Sequence, residues 1–470
     1  MLFSSVPFLY YFLPAVLILY FLAPMRGGSP RWRNWVLLLA SLLFYAFGEP
    51  VYVLLMIGQI LSGWGFGLLI ERWRGKPAAR WALIGSLVVG LGGLMFFKYT
   101  DFFLANISAL GLSVGALGLI MPIGISFYTF QILSYDIDLY RGRTAVQRNP
   151  ATFATYVSLF PQLIAGPIVR YADVAAELEH RRHSVEDVAA GARRLVIGLG
   201  KQVLVANVLG ELVNLCRDGD GSVLSAWLYI VAYALHIYFD FSGYSDMAIG
   251  MGRMFGFRFL ENFNYPYVAK SVTEFWRRWH ISLSSWFRDY VYIPLGGNRV
   301  GPGRHIFNIL VVWFLTGFWH GAGWNFIAWG LYFAALLLLE KFLLGGLLAK
   351  LPSGVSRLYL VLCVLLGWIF FDATSMGQAT AHLGLLFGNG GGGLVGPDAL
   401  YYLRSYLTPL LIAAVGCTPL PKTLAARLAG KAAGRRALTV LEPLFVAVLL
   451  LLITAYLVDG SFNPFIYFRF

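Results

Sequence analysis

Two histidines are the residues of this chain best suited to chemistry. His280 ends the stretch FWRRWH at 275–280, and His320 sits in the stretch FWHGAGW at 318–324. An imidazole titrates near neutrality and is the usual group for taking a proton from a hydroxyl. A polar side chain at membrane depth costs free energy unless it pairs, lines a wet cavity or reacts. Two imidazoles flanked by tryptophans, one of them beside an arginine pair, point to a reaction centre held inside a membrane.

The surroundings of each histidine sharpen this reading. His320 closes the apolar run 306–319, and on a continuous helix Thr316 and Trp324 would share its face, four residues to either side. Trp319 adjoins it, and Gly317, Gly321 and Gly323 remove bulk, so that a backbone or an extended substrate can approach. The alternative is a core histidine bonded to a carbonyl. His280 falls on 274–290, which reads as one amphipathic helix with a Glu274–Arg278 pair at i,i+4 spacing. Trp276 lies about one turn before it, and Trp279 and Trp286 add aromatic surface. The alternative there is an interfacial helix with Trp and Arg at headgroup depth. A third stretch, YFDFSGYSD at 238–246, brings Asp240, Tyr244 and Asp246 to the end of an apolar run. Such carboxylates orient a histidine, bind a cation or, most often, pair with a base. The stretch 160–168 has a proline near each end and is expected to be bent or re-entrant. His180 and His183 lie in a charged loop and are expected to be solvated. His236, His305 and His382 have no ligand cluster around them. No metal-binding spacing, phosphate loop or serine-nucleophile motif is present.

These residues must be positioned by a chain made for lipid. Of 470 residues, 59% are hydrophobic, 16% aromatic and only 13% charged, against about 25% charged in soluble proteins. The net charge is +13, but the basic residues recur in short loops rather than on one face, which argues against nucleic-acid binding. Cys216, Cys363 and Cys417 are too few and too scattered for a disulfide framework or a zinc site. The apolar N-terminus lacks a leading charge and a cleavage signal, so it reads as a retained span with its start outside. Basic residues at 26–33, 71–80 and 422–436 then mark cytoplasmic loops.

Thirteen apolar runs follow one another: 7–25, 35–47, 51–70, 81–97, 102–119, 156–168, 195–213, 223–239, 306–319, 326–344, 358–371, 406–415 and 438–458. A crossing helix needs about 20 apolar residues, and several runs are shorter. The expectation is an all-α polytopic membrane protein of about ten to thirteen helical segments, some of them tilted, re-entrant or buried in protein. Residues 121–143 and 253–304 are too polar for lipid-facing helices and are expected to build the interior or the cytoplasmic face. No internal repeat marks a boundary, so 1–470 reads as one integral membrane domain.

Several long motifs resemble the membrane-bound O-acyltransferase family, and within it the bacterial branch that acetylates alginate. They are 275–280 followed by SLSSWFRDYVYIPLGG at 282–297, 318–321, MPIGISFYTFQ at 121–131, YFDFSGYSDMAIG at 238–250, the opening 1–5 and the tail NPFIYFRF at 463–470. The core motifs fall in 121–140, 156–170, 238–250 and 271–330. The resemblance implies a ring of helices around a thinned centre with a central tunnel. It implies that His320 activates an acceptor hydroxyl against an acyl thioester and that His280 holds the second site position, orienting the reacting groups or stabilising the oxyanion. Arg277, Arg278 and Arg288 would attract a phosphate-rich donor. Trp276, Trp279, Trp319, Trp324, Asp240, Tyr244 and Asp246 complete the expected substrate-binding set. No bound cofactor is implied; an acyl thioester such as acetyl-CoA is the cosubstrate. The implied setting is the bacterial inner membrane, with membrane lipids around the protein, periplasmic partner proteins and a polysaccharide acceptor. The alternatives are a teichoic acid D-alanyl transferase, a transporter or flippase using the histidines as a proton relay, and a structural subunit of an export complex.

Overall fold

The computed structural model describes residues 2–25 and 29–459. The tail motif at 463–470 and Arg26 lie outside the described residues. The described residues are helical, joined by turns and irregular segments. By their contacts they form two compact units, 1–195 with 245–260, and 196–244 with 261–470.

The first unit begins with a π-helical turn, Pro7–Phe12, running into α1 (Leu13–Leu22). It continues through α2 (Arg31–Gly48), α3 (Tyr52–Arg72), α4 (Pro77–Ala109), α5 (Ile125–Tyr140), α6 (Pro150–Ser158), α7 (Phe160–Leu163) and α8 (Tyr171–Glu179). The apolar runs 81–97 and 102–119 do not form two helices. Residues 77–109 make one helix, and the segment after Gly111 is irregular. Gly111 has φ 94° and ends the helix where an L-residue would be strained. α5 packs against α3 and α4 and is buried along nearly its whole length, as its polar residues required. The expected break at 160–168 is present: α7 is one turn, followed by a turn at 164–166 and irregular chain.

In the second unit the long helix α9 (Val185–Arg217) contributes its C-terminal part and α10 (Val223–Met254) its N-terminal part. Then come two short helices, α11 (Val272–Trp276) and α12 (Ile281–Phe287), and a π-helical turn, Arg288–Tyr292. They precede α13 (Pro302–His320), α14 (Trp324–Leu348), α15 (Ser353–Asp372), α16 (Met376–Leu386), α17 (Pro397–Ser405), α18 (Leu407–Gly416), α19 (Leu420–Ala429) and α20 (Ala432–Val458). α13 and α14 pack closely because Gly317 and Gly330 face each other's helix; a Cβ on Gly317 would collide with the Phe326 carbonyl oxygen. The basic run 422–436 is not a loop. Its alanine-rich sequence forms α19 and the first turn of α20, as helix propensity favours.

Seven of these helices are long and apolar enough to cross a membrane, or eight if the bent pair α18–α19 counts as one span. The chain is a multi-pass, all-helical membrane protein.

Candidate active site

The short helix α11 forms because its N-terminus is doubly capped. Ser271 accepts from the Glu274 N–H at 3.0 Å, and Glu274 accepts from the Lys270 N–H at 2.8 Å, as in a capping box. The Glu340 carboxylate, at a π-helical turn of α14, accepts from the Val272 N–H at 2.5 Å and the Thr273 N–H at 2.9 Å. A buried carboxylate at a helix N-terminus is stabilised by the orphan N–H groups and their dipole. α11 then carries Trp276 against Trp313, Trp329 and Phe333.

The helix stops at Trp276, so 274–290 is not the continuous amphipathic helix expected. His280 has φ 44° and ψ 55°, a left-handed conformation that costs a non-glycine residue free energy. The surrounding backbone holds it there. The Ile281 N–H donates to the Asn262 carbonyl at 3.0 Å, and the Asn264 N–H donates to the Arg278 carbonyl at 2.9 Å. The break turns the His280 ring inward, against the edge of Phe241 at 4.6 Å.

His320 is the last residue of α13. Gly321 is extended, so Trp324 starts the next helix and does not share the His320 face. Trp324 is 57% exposed. His320 is buried and packs edgewise on Trp319 at 4.9 Å, Trp329 at 5.1 Å and Phe371 at 5.1 Å. Trp319 also faces His280, with ring centroids 6.2 Å apart.

Both histidines line one cavity of about 630 Å³. Trp276, Arg277, Trp279, Arg288, Tyr292 and Thr316 are among its other walls. Arg277, Arg288, Tyr292 and Ile309 also line a larger cavity of about 1250 Å³, to which Lys270, Arg299 and Lys341 add positive charge. Its one acid among the described lining residues is Glu340, whose carboxylate is taken up by α11. From His305 at one end of α13 to His320 at the other is roughly 22 Å along the helix axis, so the two cavities follow most of its length. Burial pushes the pKa of His280, in the break between α11 and α12, down to about 3 and keeps its ring neutral.

The other expected site residues divide. Trp276, Arg277, Trp279 and Arg288 line the histidine cavity. Arg278 lines neither cavity; it binds Glu274 at 2.7 Å and the Asn264 carbonyl at 3.2 Å. Asp240 is buried and accepts from Gln202 at 2.9 Å, Asp246 pairs with Arg194 at 2.7 Å, and Tyr244 is buried. None of the three lines the cavity of the histidines. Sequence reading missed Asn262, Glu340, Arg299 and Lys341. A Ser-x-x-Glu capping signal at 271–274 was legible, but the long-range partners were not. His183 is not solvated: it hydrogen-bonds Tyr20 at 2.8 Å and Arg33 at 3.1 Å. Among the described residues no group of three His, Cys, Asp or Glu side chains stands close enough to hold a metal ion.

Comparison with known proteins places this architecture. Residues 144–350 match the family described as MBOAT, membrane-bound O-acyltransferase. The chain is 42% identical over 398 residues to the probable alginate O-acetylase AlgI of Azotobacter vinelandii, covering 83% of this chain and 79% of that one. It is 35% identical over 412 residues to the peptidoglycan O-acetyltransferase of Helicobacter pylori, covering 81% and 78%. Likeness to the teichoic acid D-alanyltransferase of Bacillus subtilis is more distant, 29% over 239 residues, 48% of this chain and 60% of that one. A multi-pass helical chain with two histidines on one cavity and with these relatives, this protein belongs to the membrane-bound O-acyltransferase family.

Proposed function

We propose that this protein is an O-acetyltransferase of the bacterial inner membrane. It moves acetyl groups from a cytoplasmic thioester donor, acetyl-CoA or a thioester like it, toward an extracytoplasmic polysaccharide of the alginate kind. The observation that carries this reading is the shared cavity of His280 and His320 and its continuation, through Arg277 and Arg288, into a basic cavity. The basic cavity suits the phosphates of a donor. The smaller one, walled in part by Trp276, Trp279 and Trp313, suits the thioester end.

In this mechanism His320 is the general base. It takes the proton from the acceptor hydroxyl as the oxygen adds to the thioester carbonyl carbon. The tetrahedral intermediate collapses, the C–S bond breaks, and the leaving thiolate receives the proton from His320. General-base assistance of this kind contributes about 10²–10⁴-fold. Donor and acceptor meet inside the protein, so no free acyl intermediate enters lipid. The N-terminus lies outside, because the basic segments 71–80 and 422–436 then stay cytoplasmic. Periplasmic partner proteins receive the acetyl group or present the polymer.

The test is acetyl transfer by the purified protein in detergent, from radiolabelled acetyl-CoA to polymer or to a partner protein. Label appearing on the acceptor supports the reading. Flux of a lipid-linked sugar in proteoliposomes with no acetyl chemistry makes the protein a transporter instead.

A further inference from the structure

We infer that Asn262 is a positioning residue that holds His280 with its proton on Nδ1, so that Nε2 meets the substrate as a hydrogen-bond acceptor. This rests on reading the His280–His320 cavity as the acyl-transfer site.

Donors and acceptors around Asn262 fix the tautomer. Asn262 is fully buried in the irregular segment before Tyr265. Its Oδ1 faces the backbone N–H of Ser282 at 3.2 Å, the Ser282 hydroxyl at 2.9 Å and the Nδ1 of His280 at 3.2 Å. A backbone N–H only donates, so the amide atom it meets is the carbonyl oxygen and not the NH₂ group. That oxygen only accepts, so the His280 nitrogen facing it carries the proton. A neutral imidazole protonated at Nδ1 has its lone pair on Nε2.

Nε2 is the atom left for the substrate. It is buried and has no hydrogen-bond partner among the described residues, and His280 lines the cavity it shares with His320. An unpaired buried acceptor on a residue that lines a cavity is available to a ligand there. The left-handed backbone of His280 is a second sign of the same kind, since such strain persists only where the surroundings impose it. Asn262 is the chief restraint, through its side chain on Nδ1 and its carbonyl on the Ile281 N–H. Phe241, at 90° to the imidazole, confines the ring plane.

The tautomer decides between two roles. A lone pair on Nε2 does not stabilise an oxyanion, which needs a donor. It does hold an N–H or O–H of the substrate. His280 therefore orients the reacting groups, and donors to the oxyanion come from elsewhere in the cavity.

The experiment labels the protein with ¹⁵N-histidine in detergent and assigns His280 by the signal lost in His280→Gln. The ring ¹⁵N shifts and couplings report which nitrogen carries the proton. The expected result is a single Nδ1-protonated form in the wild type and a tautomer mixture in Asn262→Ala. In Asn262→Asp the carboxylate still accepts from Nδ1 but favours the charged ring, so the acid limb of the kcat profile moves to higher pH. Asn262→Ala lowers kcat about tenfold or more with the donor KM little changed, and Asn262→Asp recovers part of it. An Nε2-protonated His280 in the wild type overturns the inference, as does an Asn262→Asp profile that coincides with wild type. Absence of acetyl transfer by the wild type would count against the proposed function alone, since the tautomer is read without turnover.

Discussion

His280 and His320 are brought to one cavity from two helix ends, with Trp319 packed against both rings at 6.2 Å and 4.9 Å. One indole thus touches both imidazoles, and in the proposed mechanism the substrate is what joins them.

Replacing the base tests this arrangement most directly. His320→Ala is expected to stay membrane-inserted and monodisperse in detergent while acetyl transfer falls by about 10²–10⁴-fold. Wild-type turnover in a well-folded variant would remove His320 from the role of base.

The strain at His280 predicts an unusual stability ranking. Both His280→Ala and His280→Gly should lose most activity, but the glycine variant should be the more stable of the two by about 1 kcal/mol, because glycine accepts φ 44° without the steric cost. Thermal unfolding in one detergent measures this. An alanine variant as stable as the glycine variant would mean that the backbone is not strained there.

The arginines should separate by function. Arg277→Gln and Arg288→Gln should each raise the half-saturating concentration of the thioester donor, since both side chains line the two cavities. Arg278→Gln should leave it unchanged, because Arg278 lines neither cavity. Equal effects of all three on donor saturation would make them lipid anchors or a diffuse field rather than contacts.

Orientation can be read by chemical labelling. Cysteines introduced at the exposed positions Lys76 and Ala433 should resist an impermeant thiol reagent in intact cells and react after permeabilisation. Labelling from outside at either position would reverse the topology.

Acid should loosen the first unit at His183. Arg33 only donates, so Nδ1 is bare and Nε2–H meets Tyr20, which in turn donates to the Phe255 carbonyl at 2.6 Å. Burial first, and then the charges of Arg33 and Arg181, hold the His183 pKa below its ordinary value. The unfolded chain therefore binds the proton more readily. This contribution to stability is fully present above about pH 6.5 and is lost as pH falls below it. The melting temperature should fall from about pH 7 to 5, and the fall should be shallower in His183→Gln. Parallel curves would show that other groups govern the acid response.

Much of this was legible in the sequence, and the failures are instructive. Low charge and long apolar runs required a multi-pass helical chain, because the backbone in lipid must satisfy its own hydrogen bonds. Polar residues at 121–143 argued against a lipid-facing helix there, and α5, which covers 125–140, is buried. The motifs around His280 and His320 singled out two histidines that line one cavity. Periodicity then misled at two places. It drew one helix through His280, where tertiary hydrogen bonds from Asn262 and Asn264 impose a break. It also placed Trp324 on the face of His320, where the chain turns at Gly321.

Composition and contiguous motifs were enough for the membrane setting and the family. Only the tertiary structure decided which polar residues serve the cavity. Asp240 and Asp246 sit in conspicuous motifs, yet their carboxylates are bound to Gln202 and Arg194. Asn262 and Glu340 lie in no conspicuous motif, yet one orients His280 and the other caps the helix that carries Trp276. A buried polar group is defined by its partner, and the partner here comes from a distant part of the chain, which local pattern cannot encode.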